Sequence, residues 1–147
     1  MTRAGAVSAV ALLALLAGCG EDEPDAPPSV QVTVGPQDVE VQPTQYCLGG
    51  DGERYSITPP IIEVSPDSPI TLTVPETVAE QGWGVQVFDD QLVEVIGEVD
   101  VESGETSFDV NSSDVVPAAF YLVVVEDKGT DCGEFSGAWP VGFIRAG

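Results

Sequence analysis

Histidine is absent from this 147-residue chain, and Lys and Arg together number only 4 against 25 Asp and Glu, a formal charge of −21. Without histidine the usual neutral-pH proton shuttle and the commonest metal ligand are both missing. Ser-His-Asp and Cys-His nucleophile systems are therefore excluded. Four scattered cations cannot neutralise a run of phosphates, so nucleic acid is not expected as a partner. Methionine occurs once, at Met1, and a blue-copper centre needs His ligands and usually a Met. Apolar residues are not in deficit. They make up 43% of the chain, ample for a core, so an acidic disordered chain is not expected either. The length suits one domain.

The N-terminus carries the first positive signal. Arg3 is followed by an apolar run of 14 residues, Ala4 to Ala17. A bilayer span needs about 20 residues, whereas a signal-peptide core needs about 7 to 15. The run ends in Leu16-Ala17-Gly18-Cys19, which resembles the bacterial lipobox, L-[AS]-[GA]-C. The resemblance implies that residues 1–18 are a signal peptide and that the Cys19 thiol receives a diacylglycerol and becomes the new N-terminus. The expected location is then the extracytoplasmic face of the cell membrane, with the membrane itself a partner through the lipid on Cys19. An ordinary secretory signal in which Cys19 is incidental is the other reading of the same residues. Cleavage would leave Arg54, Lys128 and Arg145 against 25 acids, a net charge of −22. So acidic a protein is not drawn to anionic lipid, so the acyl chains must supply the attachment, at about 0.8 kcal/mol per buried CH₂.

Residues 19–29 continue as Cys-Gly-Glu-Asp-Glu-Pro-Asp-Ala-Pro-Pro-Ser. Charged and Pro-rich, this stretch cannot bury much surface and reads as an extended tether of at most roughly 30 Å. Residues 30–147 then form a single domain with strong β character. The chain beyond residue 18 holds 21 Val but only 4 Leu and 6 Ala, so good helix formers are scarce. Period-two alternation recurs at Val30–Val34, Val39–Val41, Ile70–Val74 and Val85–Phe88. Further strand candidates are 61–64, 92–101, 106–110, 120–126 and 138–144. Gly35-Pro36, Gly49-Gly50-Asp51-Gly52, Pro66-Asp67-Ser68-Pro69, Asp89-Asp90, Ser103-Gly104 and Lys128-Gly129 separate the strands. Phe120–Val125 is nearly continuous apolar and reads as a central strand. Only 75–81 could hold a brief helical turn.

Seven to nine short strands at this spacing predict an all-β antiparallel fold, either a two-sheet sandwich or a barrel. The segment Ser113–Val125 resembles the penultimate strand of immunoglobulin-like domains, which implies an immunoglobulin-like sandwich. Within it Tyr121 is either a tyrosine-corner residue or an ordinary strand aromatic. Trp83, between Gly82 and Gly84, is expected in the core, and Trp139, before Pro140, is expected to be partly exposed because proline favours strand edges.

With Cys19 assigned to lipid, Cys47 and Cys132 remain. Outside the cytoplasm an even remainder favours a disulfide, which would add roughly 4 to 5 kcal/mol on the chain-entropy model. Two free thiols, or a metal pair completed by carboxylates, are the alternatives. Tyr46 and Cys47 are expected to end a strand and staple it to the loop before the last strand. The run Pro43-Thr44-Gln45-Tyr46-Cys47, P-x-Q-Y-C, resembles an uncharacterised lipoprotein family of high-GC Gram-positive bacteria. That resemblance implies an envelope location and a β fold, and brings no activity. Its motif residues here are Pro43, Gln45, Tyr46 and Cys47.

Chemistry is sparse. Lys128 has no serine at the S-x-x-K offset, and Gly133-Glu134-Phe135-Ser136-Gly137 is G-x-x-S-G rather than the nucleophile elbow G-x-S-x-G. Paired carboxylates could serve a glycosidase, but with 25 acids some pair always meets the spacing. Calcium could engage Asp89-Asp90 or Asp100, Glu102 and Glu105, none of which matches the EF-hand loop. A solvated acidic surface accounts for the same residues. Asn111-Ser112-Ser113 is only a nominal sequon. The expectation is a non-enzymatic binding or structural module of the envelope, with an envelope protein as partner and no cofactor, no metal site and no catalytic residue. A divalent-cation or small-solute binder is the alternative.

Overall fold

The computed structural model describes residues 26–48, 51–127, 132 and 135–146. Residues 1–25, which hold Cys19, the expected signal peptide and the expected tether as far as Asp25, lie outside the described residues, as does Lys128. Among the described residues, eleven strands and one short helix follow in chain order. They are β1 (Val30–Val34), β2 (Gln37–Val41), β3 (Gln45–Leu48), β4 (Asp51–Arg54), β5 (Ile61–Val64), β6 (Pro69–Thr73), α1 (Glu76–Gln81), β7 (Trp83–Phe88), β8 (Val95–Asp100), β9 (Ser107–Asn111), β10 (Ala119–Asp127) and β11 (Phe135–Arg145). The chain is all-β, as the alternation predicts. The count exceeds seven to nine mainly because Asp51 and Gly52, read as part of a turn, instead open β4, which pairs with β3.

Two sheets pack face to face. One has the order β2-β1-β6-β9, and the other β4-β3-β11-β10-β7-β8, with β5 added on β11. All pairings are antiparallel except that of β5 with β11, which is parallel. The first hairpin shows why local sequence forms these ladders. Val30, Val32 and Val34 alternate inward and are buried. Gly35, at φ 54°, then supplies the positive φ that a two-residue hairpin loop demands at its first position. Between the sheets lie Val32, Ile70 and Leu72 from one and Phe120, Leu122 and Phe143 from the other, with the Phe120 and Phe143 rings stacked at 5.4 Å. Trp83 is in this core, as expected.

The near-continuous apolar strand β10 is central, flanked by β11 and β7. Its even-numbered residues Phe120, Leu122 and Val124 join the core, while Val123 and Val125 are buried on the outer face. Tyr121 also lies on that outer face, where a β-carbon added at Gly142 would come within 2.9 Å of its ring. Tyr121 is thus a strand aromatic covering its neighbour.

Trp139 corrects an expectation. It is fully buried, at 0% exposure, although Pro140 follows it in the middle of β11. Strand alternation puts Trp139, Val141 and Phe143 on the core face. Proline is tolerated because of where its nitrogen points. The amide of Gly142 donates to Pro60 O, away from β10, so the nitrogen two residues earlier faces the same way. On that side β3 pairs with residues 137 and 138, and β5 with 142–145. Pro140 faces the gap between them and sacrifices no ladder bond.

Gly137 sits where this packing is tightest. A β-carbon there would lie 2.6 Å from the Trp139 ring and 2.9 Å from the Tyr46 ring. Gly137→Ala should cost about 1–3 kcal/mol through overpacking, read as a lowered urea midpoint at unchanged m-value. Gly52→Ala, with nothing within 4 Å of the new carbon, should leave the midpoint nearly unmoved.

Candidate functional site

The P-x-Q-Y-C residues are built into the sandwich. Pro43 is buried, the Thr44 amide donates to Ala138 O, and Gln45 and Tyr46 pair with both β4 and β11. The Tyr46 ring meets Trp139 edge-on at 5.8 Å. Opposite, the Trp139 indole N–H donates to Pro28 O at 2.9 Å, so the last residues of the Pro-rich segment are held against the domain. Cys47 is bonded to Cys132, with Cα atoms 5.8 Å apart, within the ordinary disulfide range. A hollow of about 170 Å³ beside the bond is lined by Tyr46, Glu53, Arg54 and Ser136 among others. The Ser136 hydroxyl donates to Asp127 O, bracing the end of the β10–β11 ladder. Gly133 and Glu134 of the G-x-x-S-G run lie outside the described residues.

Asp89 has a structural task. Its carboxylate accepts from the amides of Val93, at 2.8 Å, and Glu94, at 3.2 Å, and these bonds hold its pKa below the usual carboxylate range. Asp100 ends β8, and Glu102 and Glu105 flank the turn that follows. There the Glu105 carbonyl accepts the Trp83 indole N–H at 2.7 Å, and Glu102 O accepts the Glu105 amide. Among the described residues no three of His, Cys, Asp and Glu converge as metal ligands. The Asn111-Ser112-Ser113 run is likewise structural. The Asn111 side-chain oxygen accepts from the Ser113 amide, and the buried Ser112 hydroxyl donates to Ser65 O.

Glu126 went unnoticed in the sequence because it ends an apolar strand. It shares the inward face of β10 with Val124 and is only 5% exposed. Burial, with the charge of Asp127 adding to it, raises its carboxyl from 4.5 to about 7. Burial also raises the Tyr46 hydroxyl, with the charge of Glu126 next in weight.

The feature best suited to binding lies at the opposite edge. β8 and β9 are the terminal strands of their respective sheets, and the sheets part between them. Two adjoining cavities of about 390 and 240 Å³ open there and share Val87, Asp114 and Val115. Their walls are apolar: Val85 and Val99 from the second sheet, Phe108 and Val110 from the first, and Val116 and Pro117 from the loop before β10. Val116 is 90% exposed and Val93 is 78% exposed, and Val95, Ile96 and Val99 on β8 are exposed as well. Asp109 and Asp114 are acids at the opening, and Glu98 and Asp100, carried by the neighbouring edge strand β8, are exposed as they are. The Arg145 guanidinium fixes the loop that carries Val115 and Val116, donating to the carbonyls of Ser112 and Val115 at 2.7 Å each and of Val116 at 3.3 Å. The Val115-Val116-Pro117 run and the surplus of Val and Ile in 93–99 were the sequence signals for this cleft. They are unreadable until β8 is known to be an edge.

A family model described as protein of unknown function (DUF2771) matches residues 23–129, well over half of the chain. The chain belongs to this family. DUF2771 membership brings no activity with it, and the matched range takes in the cleft and the P-x-Q-Y-C residues while stopping short of Cys132 and β11. No curated protein and no solved structure matches the chain.

Glu126 makes stability depend on pH in a definite direction. Between pH 4.5 and about 7 the folded chain keeps a proton that the unfolded chain has released. Its stabilising contribution is therefore present below pH 4.5 and is lost as the pH rises to about 7. Urea unfolding across that range should show this fall, and Glu126→Gln should flatten it.

Proposed function

We propose that this DUF2771 chain is a lipid-anchored, non-enzymatic binding module of the cell envelope, held outside the membrane through Cys19, with the β8–β9 cleft as its binding surface. Support for the anchor is the Leu16-Ala17-Gly18-Cys19 run at the end of a short apolar segment. The observation that carries the binding role is the open apolar cleft. Burying a fully exposed Val or Ile side chain is worth about 1.5–3 kcal/mol, and exposed apolar patches of this kind mark interaction sites. Several such side chains around one opening supply the driving force for a partner. Catalysis has no comparable support: the cleft walls are Val, Ile, Phe and Pro, with acids only at the rim.

Two measurements test the two halves. Cys19→Ala should move the protein from the membrane fraction to the soluble fraction, and mass spectrometry should find a diacylglycerol on Cys19 of the parent protein; an unmodified Cys19 in the membrane fraction contradicts the anchor. An apolar fluorescent dye should bind the parent saturably. Val116→Asp, at a site too exposed to affect folding, should weaken that binding severalfold by placing a charge at the mouth. Unchanged dye binding contradicts the cleft as the binding surface.

A further inference from the structure

We propose that the cleft is filled by an extended, cationic peptide segment of an envelope protein, added as a new strand along the free edge of β8. The inference rests on the cleft being the binding surface and adds the chemistry and geometry of its occupant.

Backbone groups decide the geometry. The Val101 amide donates to Trp83 O, and β8 pairs with β7 in the register Val85↔Val99 and Val87↔Gly97. In an antiparallel ladder the hydrogen-bonded pairs alternate, so the odd-numbered residues of β8 bond to β7. The N–H and C=O groups of Glu98 and Asp100 therefore face the free edge. An acyl chain or other apolar small molecule could fill the cleft but could not satisfy those groups. An added strand does both, placing every second side chain against the apolar wall while its backbone pairs with the edge. Exposed edges are ordinarily guarded by Lys, Pro or a covering loop. β8 reads Val-Ile-Gly-Glu-Val-Asp, with no Lys and no Pro, and its apolar side chains are exposed. Its register shift is confined to Ile96, so the edge from Gly97 to Asp100 is regular.

Charge decides the chemistry. Alternation turns Val99 to the cleft and Glu98 to the outer face, where its carboxylate accepts from the Gln86 amide side chain at 3.2 Å. Asp100 is on that same outer face. On β9, Asp109 is turned outward as well, accepting the Thr71 hydroxyl at 2.7 Å. An incoming strand therefore meets apolar surface at its inward positions and carboxylates beside its outward positions, where Lys or Arg form favourable cross-strand pairs. A second copy of this chain is the poorer occupant. Antiparallel pairing of β8 with β8 centred on Val99 would set Glu98 opposite Asp100 twice over, in a chain whose net charge is already −21.

The test uses the full-length protein in detergent and a peptide alternating Val and Lys, with two controls: a Val/Glu peptide, and a peptide of the same composition in which Val and Lys form blocks. The alternating Val/Lys peptide should bind saturably and slow hydrogen exchange at the Glu98 and Asp100 amides. Its affinity should fall by about tenfold or more between low and high salt, as screening weakens the rim charges. Glu98→Pro removes an edge donor without taking a bond from the β7 ladder and should abolish that protection. Glu98→Lys combined with Asp100→Lys leaves the backbone edge intact and should switch preference to the Val/Glu peptide. Equal binding of the block peptide, or binding without protection at β8, overturns the proposal. So does self-association of the protein that protects those amides, which would identify a second copy as the occupant. If the dye binds the cleft and the peptide does not, the strand proposal fails while the cleft remains the binding surface. If neither binds, both fail.

Discussion

The molecule hangs on the pairing of β10 with β11, a ladder running from Ala119↔Ile144 to Asp127↔Phe135. Every other strand of the larger sheet attaches through these two: β7 and then β8 on the β10 side, β3 and β5 on the β11 side. Their inward residues Phe120, Leu122, Val124, Trp139, Val141 and Phe143 form the wall onto which the smaller sheet packs. Both ends of the ladder are fastened: Arg145 binds the loop before β10, and the Ser136 hydroxyl meets Asp127 O. At the Trp139 end, the Tyr46 ring and Pro28 O meet one indole, and the residue after Tyr46 carries the Cys47–Cys132 bond. The β-carbon missing at Gly137 makes room for this arrangement.

A constraint of charge runs through the same structure. With so few cations, the carboxylates cannot be neutralised pairwise, and alternation sends them to the outer faces and the turns. Many are occupied in holding backbone or neutral side chains, as Asp89 does for its turn and Asp109 for Thr71. Arg145 serves backbone carbonyls, and in doing so holds the loop whose Val115 lines the cleft. The inward exception is Glu126, whose carboxyl sits at the end of the core face of β10 and is shifted towards the neutral form. Acidic rims around an apolar opening set the kind of partner such a surface can accept, since a like-charged molecule is repelled before it reaches the apolar wall.

Much of the sandwich was legible in the chain. Valine at 30, 32 and 34 indicated which face of the first strand is buried, and the unbroken apolar run from Phe120 identified the central strand. Gly35-Pro36 marked the first hairpin. Trp139 was misjudged because the proline rule concerns lost hydrogen bonds, and whether Pro140 loses one depends on a gap between β3 and β5 that no local pattern encodes. The hairpin of β3 and β4 was hidden for a related reason: Gly-rich sequence around residue 50 reads as a loop whether or not its flanks pair. The parallel docking of β5 on β11 joins residues some eighty positions apart and has no local signature.

By itself the sequence determined the β class, the exclusion of histidine chemistry, and the acid excess that must stay at the surface. These follow from residue type and period, which act locally. Only the tertiary structure decided which strands are edges, that Glu126 points inward, and that the sheets part between β8 and β9 to leave an apolar cleft. Those properties depend on which strand lies beside which. A valine facing a neighbouring strand and a valine facing open space look the same in the chain, and only the assembled sheets separate core from exposed cleft.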